Sequence, residues 1–455
     1  MKTTIPAIAA LAGTAAAQQF VLYGKTGKDS DAVERSDPII TPGGLSGHVH
    51  QIFGSDAFAP KLSYQGLLDS TTCTTVGADD GSGIANDHSN YWHPAAYAKK
   101  KGSDEYMRIP TLLHKMYYRT PAKGAENQLK PFGFPSGGNY SDFRMLAGDP
   151  FLRGPDPVSR TEPIVKWKCH NAGGTVEGEN GAFPEEIGRC DSINGLGLVA
   201  EIHFPHCWNG DDFDEEKPSA HMTYSSPHPQ DDDCPSSHPT VLPHIFLEAG
   251  FDVNSVYDEI DTTTITVANG DHTGYGMHAD MFNGWEEGAI DDLMNCPQGT
   301  WGNHDVGQCP QYKKGSTSQK DCAIKGTSNK EKTVESPGSN LPGCNPVQTT
   351  NPAKKYAVAQ LGDCISECVA AGGSSGGSSG GSSGGSSPSD VVSSAAPPSY
   401  TSAAPPPSYS SVDEEPEELP HYEPATTLAT SPVAPAAAPT YGAPGKLITI
   451  AMTHC

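Results

Sequence analysis

The chain has 455 residues, 35% of them hydrophobic and 18% charged, with 50 Gly, 40 Pro, 12 Cys and a formal net charge of −25. That acidity excludes a nucleic-acid binder, which needs a basic face to displace counterions from phosphate, and it excludes electrostatic docking on anionic lipid. Gly and Pro at about a fifth of the chain predict one folded domain with tails, not several packed domains.

Residues 1–17 read as a secretory signal peptide: Lys2 near the start, an apolar stretch from Ile5 to Ala12, and small residues Ala15 to Ala17 before Gln18. The apolar run is too short to span a bilayer, and no other stretch approaches about 20 apolar residues. The protein is therefore expected to be secreted, extracellular or wall-associated. Export makes disulfides the expected state of the cysteines. There is no Cys-x-x-Cys pair to suggest zinc, and the six from Cys73 to Cys296 permit 15 connectivities that spacing alone does not resolve. Asn139-Tyr140-Ser141 is a single glycosylation sequon.

Residues 18–310 are expected to form one disulfide-containing domain, mainly β with long loops and few helices. Short apolar or alternating runs at 196–204 and 262–267, with another at Pro110 to Tyr118, are bounded by Gly, Pro, Asn and Asp. Residues 311–371 read as a Cys-containing extension. From 372 to 455 a Gly-Gly-Ser-Ser repeat passes into two Ser-Ala-Ala-Pro-Pro segments and an acidic run, which predicts a disordered stalk. The tail at Lys446 to Met452 is shorter than the hydrophobic signal of a glycolipid anchor, so none is expected.

Fifteen of the seventeen histidines lie between residues 48 and 304. Neutral imidazole is the usual group for holding a transition metal or moving a proton near neutral pH. His48 and His50 form a His-x-His pair, and on a strand both would face one side. Two nitrogens are too few for a tight site, and the matching half is His278-Ala279-Asp280, with the same spacing after a Gly-Tyr-Gly turn. His48, His50, His278 and Asp280 are thus the candidate catalytic residues. His48, His50, His221, His238 and His278 are the candidate ligands of a divalent metal, copper or zinc. Isolated histidines such as His93, His114 and His170 are assigned structural roles. Tyr91, Trp92, Trp208, Tyr275 and Trp285 are candidate substrate platforms, although a buried core position is the commoner fate of Trp. The carboxylate runs Glu185-Glu186, Asp211-Asp212 and Asp231 to Asp233 read as solvated loop charges. No serine-nucleophile elbow, zincin helix, Walker loop or dinucleotide fingerprint is present.

Six ordered segments carry a resemblance: Asp37 to Gly54, Asp87 to Pro94, Phe143 to Gly148, Phe204 to Gly210, Cys234 to Pro239, and Thr273 to Trp285. Over roughly 34–296 the chain resembles a fungal secreted family known as the domain of unknown function numbered nineteen ninety-six. The resemblance implies an exported fungal protein, often with a wall-associated tail, and points to His48, His50, His238, His278 and Asp280. Two positions depart from the pattern: Asn209 stands where Asp is expected, and Ala279 where Gly is expected and a close backbone approach would be crowded. The leading expectation is a cell-wall polysaccharide (β-glucan) hydrolase with a His/Asp site. The alternatives are a non-catalytic wall or carbohydrate-binding protein and an extracellular copper- or zinc-binding protein.

Overall fold

The computed structural model describes residues 19–24, 32–136, 142–191, 197–296, 304–327, 329, 334–356 and 358. The expected signal peptide, the sequon at Asn139 and the expected stalk lie outside them. The described chain is mainly β, as expected: it contains three short helices, Tyr64–Ser70, Val253–Val256 and Ala289–Met294, and none is long and apolar enough to cross a membrane.

Two sheets carry the architecture. The larger has ten strands and is centred on His244–Phe251, Thr111–Arg119 and Gln19–Gly24. The smaller has five antiparallel strands in the order Arg144–Gly148, His278–Phe282, Asn90–Pro94, His50–Gly54 and Ala32–Glu34. Alternation along these strands sends successive side chains to opposite faces. Phe53, Tyr91, Met145, Ala147, Ala279 and Met281 thus face the larger sheet and share its core with Phe20, Leu22, Met116 and Tyr118. Within the larger sheet Phe20 stacks on Tyr118 at 4.8 Å, and between the two sheets Phe53 stacks on His114 at 3.8 Å. The arrangement is a sandwich.

The outer face of the small sheet carries His50, Ile52, Trp92, His278, Asp280 and Phe282. Its apolar members are covered by Ile39, Phe58 and Leu67 in a second core. Its polar members lie toward the end of the sheet where His50 and His278 begin their strands.

Four disulfides fit the extracellular setting: Cys73–Cys322, Cys169–Cys190, Cys207–Cys234 and Cys296–Cys309. Two of them join the six earlier cysteines to later ones, so those six are not a closed set. Described residues after 310 join this structure. Lys314–Ser318 pairs with Ser82–Ile84 at the edge of the large sheet, and Asn345, Gln348 and Ala353 hydrogen-bond to Gly47, Gly270 and Phe151 in loops beside the small one.

Candidate metal centre

His278 is the first residue of its strand, and its register partner Gly148 ends the neighbouring one. His50 starts the next strand but one and pairs with Pro94. His48 is not on a strand. It sits in a bend held by the Arg35 Nε–H donating to the Ser46 carbonyl at 2.9 Å and by the Asn345 amide donating to the Gly47 carbonyl at 2.6 Å. The His-x-His pair therefore converges through a bend and not through strand alternation. The ring centroids of His48, His50 and His278 are 4.4 to 6.0 Å apart.

One nitrogen from each of the three lies within 4.8 Å of the other two. His50 Nδ1 is 2.9 Å from the Ser36 carbonyl, and His278 Nδ1 is 3.0 Å from the Gly276 carbonyl. A carbonyl only accepts, so both Nδ1 atoms carry the proton and both Nε2 atoms present a lone pair inward. This is the backbone support that fixes the tautomer of a metal-ligating imidazole. His50 Nε2 is buried with no hydrogen-bond partner among the described residues. His48 Nε2 lies 3.0 Å from His278 Nε2. Two nitrogens at about 2.0–2.1 Å from one ion are separated by about this much at a bond angle near 95°. Burial drives His50 down to about 4 and His278 down to about 3, the latter helped by its histidine neighbour. His48 is lowered as well, first by burial and then by His50, His278, Arg35 and Arg153. All three are therefore neutral, as ligands must be.

Asp280 shares the outer face with His278, two residues on. One of its carboxylate oxygens, Oδ2, is buried without a partner among the described residues. Burial, then the neighbouring Asp37, raises its carboxyl well above the usual range. Asp37 is itself raised to about 6 by burial, an effect offset by the Ile39 and Ile40 N–H groups that its Oδ1 accepts. His48, His278, Asp37 and Asp280 all line a cleft of about 500 Å³, while His50 is fully buried beside His48 and is not part of its lining.

The turn before His278 is fixed from beneath. Asp271 accepts from the Thr273 and Gly276 N–H groups and pairs at 3.6 Å with buried Arg153. A Cβ on Gly276 would lie 2.6 Å from Arg153 Nη1, so the close approach that requires glycine is to protein and not to a ligand. Ala279 points into the core, where it crowds nothing in the cleft.

The remaining candidates lie elsewhere. Three of the five candidate ligands come together, and the other two lie apart from them: His221 Nε2 donates to the Arg144 carbonyl at 2.7 Å, and His238 Nε2 to the Ala220 carbonyl at 3.0 Å. Their ring N–H groups are committed to backbone. A second close group, His206 with Cys207 and Cys234, has its two sulfurs bonded to each other and offers no thiolate. Tyr91 and Trp92 are fully buried, with the Tyr91 hydroxyl bonded to those of Tyr118 and to Asp87. Trp208 and Trp285 border a separate groove of about 370 Å³, and Tyr275 is half-buried beside Gly181. None of the five aromatic candidates is among the residues lining the histidine cleft, whose aromatic side chains are Phe151 and Tyr356. The sequence reading missed these two, as well as Asp37 and Arg153. Asp37 alone had a local signal, an Asp followed by backbone donors two and three positions on. His93 and His114 are buried, with their Nε2 atoms 2.9 Å apart.

No curated protein and no solved structure matches the chain. The sequence model described as Domain of unknown function (DUF1996) matches residues 37–285, more than half of the chain and the whole of the three-histidine set, and the chain belongs to that family.

Proposed function

We propose that this is an exported metal-dependent hydrolase, in which His48, His50 and His278 bind one copper or zinc ion that acts on cell-wall polysaccharide, a β-glucan, in the adjoining cleft. One observation carries the reading: three imidazole nitrogens converge, two of them with the opposite ring nitrogen held by a backbone carbonyl. Three protein ligands with an open fourth position are the pattern of catalytic rather than structural zinc. Such an ion supplies a hydroxide near neutral pH by acidifying bound water. Asp280, with an unpartnered carboxylate oxygen in the cleft, is placed to exchange a proton with a group bound there.

The test is elemental analysis of the purified full chain together with reducing-sugar release from a panel of glucans. The reading requires about one ion per chain and release that disappears in His50→Ala and in Asp280→Asn. Stoichiometric metal with no release from any glucan would remove the hydrolase and favour the second reading, an extracellular copper- or zinc-binding protein. That reading is supported by the donor set itself, since no carboxylate belongs to the cluster. Glucan binding without release would indicate a carbohydrate-binding protein.

A further inference from the structure

The cleft beside the histidines has a rim unlike the rest of the surface. Six large hydrophobic side chains are exposed among the described residues, and three of them, Ile40, Phe151 and Val358, line this one cleft. Phe151 is 37% exposed, and half-buried Tyr356 adds a second aromatic ring from a different stretch of chain. Exposed apolar groups gathered at one concave place mark a binding surface, whereas single ones scattered over a protein need no explanation.

Polar groups line the same cleft. Thr41, Ser219, Asn269 and Gln348 are among them, and of these Asn269 is buried, its Oδ1 without a partner among the described residues. Charges of both signs are present, Asp37, Asp149 and Asp280 against Arg153, Lys354 and Lys355. The Arg153 guanidinium is already engaged by the carbonyls of Pro150, Leu152 and Asn269 and by Asp271. The two lysines stand against Asp37 and Asp149, the arginine is committed, and burial favours the uncharged form of Asp280, so the cleft has no surplus of free charge of either sign to select an ionic ligand. A lipid chain would leave the buried Asn269 Oδ1 unpaired and bury the other polar groups without partners. The chemistry that suits both surfaces is an uncharged ring with hydroxyls at its edge and C–H groups on its face. Such C–H groups carry slight positive charge and settle on the negative face of an aromatic ring. A neutral sugar has this form.

The two rings are held by a tied segment. The Ala353 N–H donates to the Phe151 carbonyl at 2.7 Å, and the Arg153 N–H to Asn351 Oδ1 at 2.9 Å. The Gln348 N–H donates to the Gly270 carbonyl, while the Gln348 side chain and the Lys354 backbone exchange two bonds of 2.9 and 2.7 Å. Asn345 holds the carbonyl of Gly47, next to His48. Residues 345–354 thus clamp the loop carrying Phe151 and lead directly into Tyr356, so the platform is formed before a ligand arrives. All of this segment lies beyond residue 285, where the family match ends.

We infer that Phe151 and Tyr356 form the subsite that binds a neutral glycan chain at the histidine cleft, with the 345–356 segment, beyond the family match, holding both rings in place. The inference rests on the histidine cleft being the functional site.

The experiment is calorimetric titration of the full chain with neutral hexasaccharides of β-1,3-linked glucose, β-1,4-linked glucose and N-acetylglucosamine, and with oligogalacturonate, each with and without one equivalent of zinc. One neutral hexamer should bind and oligogalacturonate should not. Phe151→Ala and Tyr356→Ala should each weaken binding at least tenfold, and Tyr356→Phe should retain it, with zinc stoichiometry and melting temperature unchanged. Because both side chains reach the surface, neither alanine variant should threaten folding. Binding unaffected by both alanine variants, preference for oligogalacturonate, or no binding of any neutral hexamer by zinc-loaded protein would overturn the inference. The last result leaves the metal reading standing. Glycan binding lost in the variants of a protein that takes up no zinc would overturn the metal reading and leave this one.

Discussion

His48 and His278 lie 230 residues apart in sequence, and their Nε2 atoms are 3.0 Å apart. With the His278 Nδ1 proton committed to Gly276, His278 Nε2 is the acceptor and His48 Nε2 the donor in the metal-free pair. A metal ion held by both Nε2 atoms would replace that hydrogen bond, and His48 would then carry its proton on Nδ1. The third nitrogen, His50 Nε2, has no hydrogen-bond partner among the described residues to lose.

His50→Ala tests the ligand set. The substitution removes one of three donors and leaves the Ser36 carbonyl unpaired in a buried place, at about 1–3 kcal/mol. Bound copper or zinc should fall from one ion per chain to a small fraction, with a lower melting temperature and an unchanged circular dichroism spectrum. Equal metal content in the variant would exclude His50 as a ligand.

Gly148→Ala tests positioning without removing a donor. Gly148 has φ +80°, and an added Cβ would lie 2.6 Å from the Met277 carbonyl oxygen and 3.1 Å from His278 Cα. Relief requires the His278 strand to shift, so metal affinity should weaken about tenfold, the scale seen when the support of a ligand is disturbed. Titration of variant and parent with zinc measures it; equal affinities would show that the centre tolerates this movement.

Acid should destabilise the fold through histidines remote from the cleft. His206 is fully buried, neither ring nitrogen has a partner among the described residues, and burial pushes it down to about 3. His203 and His244 are lowered too, chiefly by burial. A group with a depressed folded value binds its proton more readily when unfolded. Its contribution is therefore complete above about pH 6.5 and is lost as pH falls toward 3, at about 1.4 kcal/mol per pH unit for each such histidine. Urea midpoints between pH 7 and 4.5 should fall steeply, and His206→Gln should flatten the slope. Parallel slopes would place the acid sensitivity elsewhere.

Cys73–Cys322 closes a sequence separation of 249 residues and ties the later segment to the sandwich. Cys73→Ser with Cys322→Ser should cost about 2–5 kcal/mol, read as a lower denaturant midpoint. An unchanged midpoint would show that the edge pairing of Lys314–Ser318 suffices.

Much of the centre was legible because its signals are local. A His-x-His pair and a His-x-Asp pair keep their spacing whatever fold brings them together, and β-branched runs such as 262–267 announce strands through their period. The aromatic residues were less legible, because the same Trp that can support a sugar also fills a core. Trp92 is buried against Phe58 on the outer face of the small sheet. Phe151 and Tyr356 carry no motif. They share one cleft because residues 345–354 bond to the loop that carries Phe151, and long-range pairings of this kind have no periodic trace. His221 and His238 failed to join the centre for a similar reason: spacing shows that an imidazole is nearby in sequence, not whether a backbone carbonyl has already engaged it.

The most direct test of the three-histidine centre is anomalous diffraction at the zinc edge from crystals of the full chain grown with zinc. The account predicts one peak about 2.0–2.1 Å from a ring nitrogen of each of His48, His50 and His278, with the fourth position opening on the cleft. A zinc-saturated crystal with no peak between those three rings would contradict it.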